Sequence, residues 1–191
     1  MSAMIRICLP LIALLLANPL HAQEAPAGEF NPETILALKD LQLLDQRLNA
    51  IGYRLVEANT PFCDDKSPQT GLLLHDIEQY PDEAVARFAL GFDGPVTVIA
   101  VAPDSPAAAA GLLPGDDILA INGVGIEEIP SDNPAFGNEP PEYRRIAAVN
   151  DRLEKALTQD DATLAVLRGG ERTSLILASR QACPSRFQIA V

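Results

Sequence analysis

The side chains that could do chemistry here are few, and their spacing argues against most of it. After its first 22 residues the chain holds two cysteines, Cys63 and Cys183, and one histidine, His75. A zinc protease needs two histidines one helical turn apart, a third ligand and a glutamate base. That set is absent. Thiol redox chemistry lacks a Cys-x-x-Cys pair. A Ser-His-Asp triad would have to join His75 to Ser67, Ser105 or Ser185, none of which sits in a nucleophile elbow. Ser105 is better explained as a helix cap, and His75, beside an apolar run, as a packed or surface histidine. Asp116 and Asp117 could suggest a metal ion, but a turn followed by a strand start accounts for both. Glu127, Glu128 and Asp132 fall in an acidic loop, and Arg144 and Arg145 balance an acidic surface or, alternatively, meet a peptide carboxylate. No catalytic residue, metal or cofactor is expected.

Composition narrows the partners. The 191 residues carry a formal net charge of -12, which argues against nucleic acid and anionic membrane surfaces. Aromatics make up only 5%, so the core must be aliphatic. Residues 1–22 have the order of a secretory leader. Arg6 supplies the positive start, Leu9 to Leu20 a short apolar run, and Leu20-His21-Ala22 a cleavage site. The expected location is therefore periplasmic or secreted, with no membrane attachment after cleavage. Cys8 departs with the leader. In an oxidising compartment Cys63 and Cys183 invite one disulfide closing a loop of about 120 residues; two buried free thiols are the alternative.

The elements that must position any site are legible along the chain. Residues 23–30 form a linker. Asn31-Pro32-Glu33 is a helix start, with an Asn cap and Pro in the first turn. Ile35, Leu38, Leu41, Leu44, Leu48, Ile51 and Leu55 then recur at three- and four-residue steps, predicting a helix to about Ala58 with one apolar face. That face packs on its own domain or, alternatively, on a second helix as a coiled coil. Gly52 invites a bend or a frayed end. Residues 31–70 are read as this helical extension. Gly71 to His75 predicts a short strand, and Pro81-Asp82-Glu83 a short helix. Val96 to Val101 is β-branched and apolar, as in a strand buried on both faces. Ser105-Pro106 caps and starts a helix that Gly111 ends. Asp117 to Ile121 is the next strand, and Asn122-Gly123 a hairpin turn. Residues 127–142 form a long loop. A helix carrying Ile146, Val149, Leu153 and Leu157 follows, then a hairpin around Gly169-Gly170.

The run from Val96 to Gly123 resembles the bacterial PDZ signature. It reads Val-x-Val-x-x-Val-x-Pro-x-Ser-Pro-Ala, then Ala-Gly-Leu, then Gly-Asp-x-Ile-x-x-Ile-Asn-Gly. The resemblance implies an α+β fold over residues 71–180: a small, partly open β-barrel with two helices, preceded by the long amphipathic helix and followed by a tail at 181–191. It also implies a groove that takes a peptide's C-terminus as an added edge strand, its carboxylate held by a hydrophobic-Gly-hydrophobic loop. By residue type that loop is Leu90-Gly91-Phe92. Val96 would line the strand side, and Ile146, Val149, Asn150 and Leu153 the helix side. However, little chain lies between Phe92 and Val96, and Pro95 lacks a backbone donor. A scaffold without a ligand is the alternative.

The flanks resemble a proteobacterial exported family in which such a segment precedes a zinc-peptidase domain carrying H-E-x-x-H. The matching residues are Leu44-Asp45-Gln46-Arg47-Leu48, Ile51-Gly52-Tyr53-Arg54-Leu55, Gly71 to Asp76, Gln79-Tyr80 and Ala182-Cys183-Pro184-Ser185-Arg186-Phe187. The expectation is a non-catalytic exported module that binds peptide or protein C-termini or docks on a protease. The alternative is the regulatory segment of such a peptidase. Self-association is a further expectation, with the apolar end Gln188-Ile189-Ala190-Val191 occupying a neighbour's groove.

Overall fold

The structure is a computed structural model that describes residues 30–132 and 134–184. The expected leader, nearly all of the linker and the tail from Ser185 lie outside the described residues. In chain order the elements are α1 (Pro32–Asn59), β1 (Ser67–Gln69), β2 (Leu72–Asp76), α2 (Glu83–Leu90), β3 (Val96–Val101) and α3 (Pro106–Ala109). After them come β4 (Asp117–Ile121), β5 (Val124–Gly125), α4 (Pro141–Gln159), β6 (Ala162–Arg168), β7 (Glu171–Leu177) and β8 (Arg180–Ala182). The α+β expectation holds, with three further α-helices rather than two beside the long one.

The main sheet is antiparallel in the order β2-β3-β4-β6-β7, with β5 paired to β4. Its two hairpin turns need two successive residues at positive φ, the type I′ requirement. Asn122 and Gly123 supply 49° and 77°, and Gly169 and Gly170 supply 56° and 81°. The sheet does not close into a barrel. Instead β1, two residues ahead of β2, pairs with β8, two residues behind β7. That short ladder joins the sheet's two edges at one end. Helix α4 packs against β1, β2 and β6 and covers the gap left between the edges.

Both faces of β3 are buried, which is why it is apolar but for Thr97. Val96 and Val98 enter the main core with Ile118, Ile121, Val149 and Leu164, beneath α4. Ile99 points the other way, into a second core with Ala86, Leu90 and Phe92, beneath α1 and α2. Two buried aspartates enter between these cores, each with its own donors. Buried Asp116 accepts from the Leu113 N–H at 2.8 Å and pairs bidentately with Arg168 at 2.6 Å. Buried Asp117 accepts from the Thr97 hydroxyl and the Asp93 N–H. Burial pushes the Asp117 carboxyl up from its ordinary range. The aspartate doublet is thus a tie between turn, strand and hairpin.

Helix α1 starts as the sequence predicts, with the Asn31 side chain accepting the Glu33 N–H at 2.9 Å. It continues through Gly52 without a break, because the missing side chain lets the helix bury its backbone there. The single apolar face is corrected. Ile35 and Leu38 pack against the second core, and Tyr53 and Val56 are buried further along. Leu44, Ile51 and Leu55 turn to solvent. The run opens with three successive three-residue steps, Ile35 to Leu44, each about 60° short of a full turn of the helix, so by Leu44 the expected stripe has crossed to the far side.

Candidate functional site

The sheet has one edge strand flanked by a helix. β2 pairs with β3 on one side, from Leu72 opposite Val101 to Asp76 opposite Val96. Among the described residues no strand pairs with its other side. Half of an edge strand's backbone donors and acceptors point away from the sheet and can take another strand. Helix α4 lies along β2. The result is a strand-and-helix cleft with an unfilled ladder.

Each end of β2 is fixed by specific contacts. At its start, the Thr70 carbonyl accepts from the Ala107 N–H at 3.0 Å, and the Gly71 carbonyl from the Ala102 N–H at 2.8 Å. The Asn49 side chain of α1 also donates to the Gly71 carbonyl at 2.9 Å. Gly71 has φ 70°, and a Cβ there would lie 2.4 Å from the Ser105 Cβ. Gly71→Ala should therefore cost about 2–4 kcal/mol, from left-handed strain and overpacking together. Urea melts of the variant test this; a loss within the error of the extrapolation would overturn it.

At its far end, Asp76 is fully buried and accepts from Arg145 of α4 through Nε at 2.5 Å and Nη2 at 2.6 Å. Asp76 also accepts the Glu78 N–H at 2.9 Å, capping a 3₁₀ turn at Ile77–Gln79. Arg145 reaches Glu78 at 3.1 Å as well. Its guanidinium is held above its ordinary pKa, chiefly by the Asp76 hydrogen bonds. Beside this pair lies an open cleft of about 260 Å³ that also carries Glu78, Glu83, Arg87, Asp93 and Glu127. Carboxylates outnumber guanidiniums there, so it favours a cationic group.

His75 is packed rather than reactive. Its Nδ1 lies 2.7 Å from the Tyr80 hydroxyl, and Tyr80 in turn meets Phe92 edge-on. Burial pushes Tyr80 up, so its hydroxyl keeps its proton. Burial lowers His75 from 6.5 to about 4. Between those values the unfolded chain binds a proton that the folded chain does not, so stability is lost as pH falls through that window. The loss is about 3 kcal/mol by pH 4. Imidazole resonances that titrate as in a free histidine would sink the prediction.

The sequence-assigned groove residues separate into two sets. Val96, Ile146, Val149 and Leu153 come together, but inside the main core, all nearly inaccessible. Asn150 is exposed on α4. Leu90, Gly91 and Phe92 are elsewhere: Leu90 ends α2, Gly91 is its left-handed cap at φ 77°, and Phe92 is buried under α1 and α2. The stretch ahead of Val96 is not where an edge strand forms. β2 supplies one from before α2. Its signal in the sequence was the glycine heading an apolar run, Gly71-Leu72-Leu73-Leu74. Arg145 and Asp76, 69 residues apart, carried no local signal.

The fold is PDZ-like, and a family model described as "PDZ domain" matches residues 97–132. No curated protein matches the chain significantly. Among solved structures, the chain is similar to one titled "HtrA-type protease AlgW with decapeptide", at 23% identity with a TM-score of 0.43. That similarity covers 63% of this chain and 31% of the other, so this chain spans about a third of that relative's length.

Proposed function

We propose that this chain is a non-catalytic peptide-binding module that takes a C-terminus along β2, between that strand and α4. The observation that carries the reading is the unpaired edge of β2 beside a helix. The peptide adds antiparallel to β2, its main chain completing the ladder. The turn Thr70-Gly71-Leu72 takes the role that residue type alone assigned to Leu90-Gly91-Phe92. Its carbonyls are already bonded inward, which leaves the cleft side of the turn free of acceptors that would repel a carboxylate. Residues upstream in the peptide pass Asp76 and meet the acidic cleft, so a Lys or Arg there is favoured.

The Cys63–Cys183 disulfide, with Cα atoms 5.6 Å apart, supports a periplasmic or extracellular location. A role beside a protease follows from the resemblance of the flanks to the exported peptidase family. The test is a titration of the purified protein with fluorescent peptides ending in an apolar residue. Binding should be lost on amidation of the peptide's C-terminus and strengthened by an upstream Lys. Equal affinity for acid and amide would overturn terminal capture, and no saturable binding would overturn the reading as a whole.

A further inference from the structure

Helix α1 carries a second apolar face that its own domain covers only in part. Ala37, Leu41, Leu44, Leu48, Ile51, Leu55, Ala58 and, just beyond the helix, Phe62 follow one another at strict four-three spacing. The seven within the helix are consecutive heptad core positions, all apolar, which is the sequence pattern of a coiled-coil seam. In the structure Leu41 and Leu48 are half-buried. Leu44, Ile51, Leu55 and Phe62 are 50%, 43%, 52% and 83% exposed. The domain is held by a different set, Ile35, Leu38, Asn49, Tyr53 and Val56. Most of the seam is therefore left open to solvent.

We propose that a second copy of this chain occupies it, with the two α1 helices antiparallel. The charges beside the seam select both the occupant and the direction. The flanking positions on the outer side are Asp40, Arg47 and Arg54. In an antiparallel pair centred between Leu44 and Leu48, Leu44 packs on the partner's Leu48, Leu41 on the partner's Ile51, and Ala37 on the partner's Leu55. The same register sets Asp40 across from the partner's Arg54, twice by symmetry. Arg47 meets the partner's Arg47 at the axis, the one like-charge contact on that side. A parallel pair would instead set Asp40 against the partner's Asp45 and leave Arg54 facing an uncharged Asn59.

Sedimentation equilibrium of the purified protein, its N-terminus established by mass, tests the proposal. The expected result is a dimer that Leu44→Glu with Ile51→Glu converts to a monomer. These side chains are exposed, so the variant's far-UV circular dichroism should stay unchanged. Asp40→Arg alone should weaken dimerisation about tenfold, since it breaks two symmetric pairs and adds repulsion. Adding Arg54→Asp should restore it. A monomeric wild type would overturn the proposal, including the case in which the chain's own first 29 residues cover the seam. A dimer indifferent to the Leu44/Ile51 change would also overturn it. If Asp40→Arg strengthened the dimer, the antiparallel direction would be overturned.

Discussion

Removing the Cys63–Cys183 disulfide should cost about 5 kcal/mol of stability, the largest loss expected from any single covalent or side-chain change here. The bond joins residues 120 apart in sequence, and the loop-closure entropy it withholds from the unfolded chain grows with that separation. Non-covalent ties at the same place are weak. β1 and β8 share only three residue pairs, and the small core beneath them is Val56, Ala182 and the cystine itself. Arg180 pairs with Glu57 at 2.5 Å, but in solvent, where screening leaves such a pair little net value. Reduction should therefore lower Tm by roughly 10–20 °C. It should also release hydrogen-exchange protection at Ser67–Gln69 and Arg180–Ala182 before β2–β3. A Cys63→Ser/Cys183→Ser protein that melts with the wild type would show that the unfolded chain gains nothing from being freed.

That pair also shows what a sequence exposes and what it withholds. Local devices were legible: the Asn31 cap, Ser105-Pro106 at the start of α3, and the two hairpin turns. Each is a backbone problem solved by the residues at that spot. β3 was legible too, because burial on both faces leaves a nearly unbroken apolar run. The candidate site was not, since it is made by non-local pairing. Whether Leu72–Asp76 is a central or an edge strand depends on what lies beside it, not on its own residues. The Leu-Gly-Phe pattern falls at a helix end for a related reason. A helix ending in a left-handed glycine, with apolar residues on both sides, has the composition of a carboxylate-binding turn. Only the preceding helical register, Asp82 capping Glu83–Leu90, tells them apart. The α1 stripe misled through arithmetic, as the successive three-residue steps from Ile35 to Leu44 carry apolar residues from one side of the helix to the other.

Arg145→Ala should destabilise the protein by about 3–5 kcal/mol, because it strands the fully buried Asp76 carboxylate with backbone donors alone. Arg145→Lys should fall between, keeping the charge but losing the two-pronged geometry. Asp76→Asn with Arg145→Met should recover most of the loss. A neutral pair of similar volume removes the stranded charge, and the amide oxygen introduced at position 76 still caps the Ile77–Gln79 turn. A thermal melt series gives the order: wild type and double variant highest, Lys next, Ala lowest by about 10 °C. If the double variant were as poor as Arg145→Ala, the cost would lie in lost packing of the arginine stem rather than in charge. The same series bears on binding. Arg145 anchors the first half of α4 to the end of β2, so it sets the width of the cleft along the strand's free edge. The Lys variant, measured well below its melt, should bind C-terminal peptides more weakly than the wild type while retaining its fold. Unchanged affinity would mean that the cleft's width is set by the apolar contacts of Ile146, Val149 and Leu153 alone, and that the ion pair serves stability only.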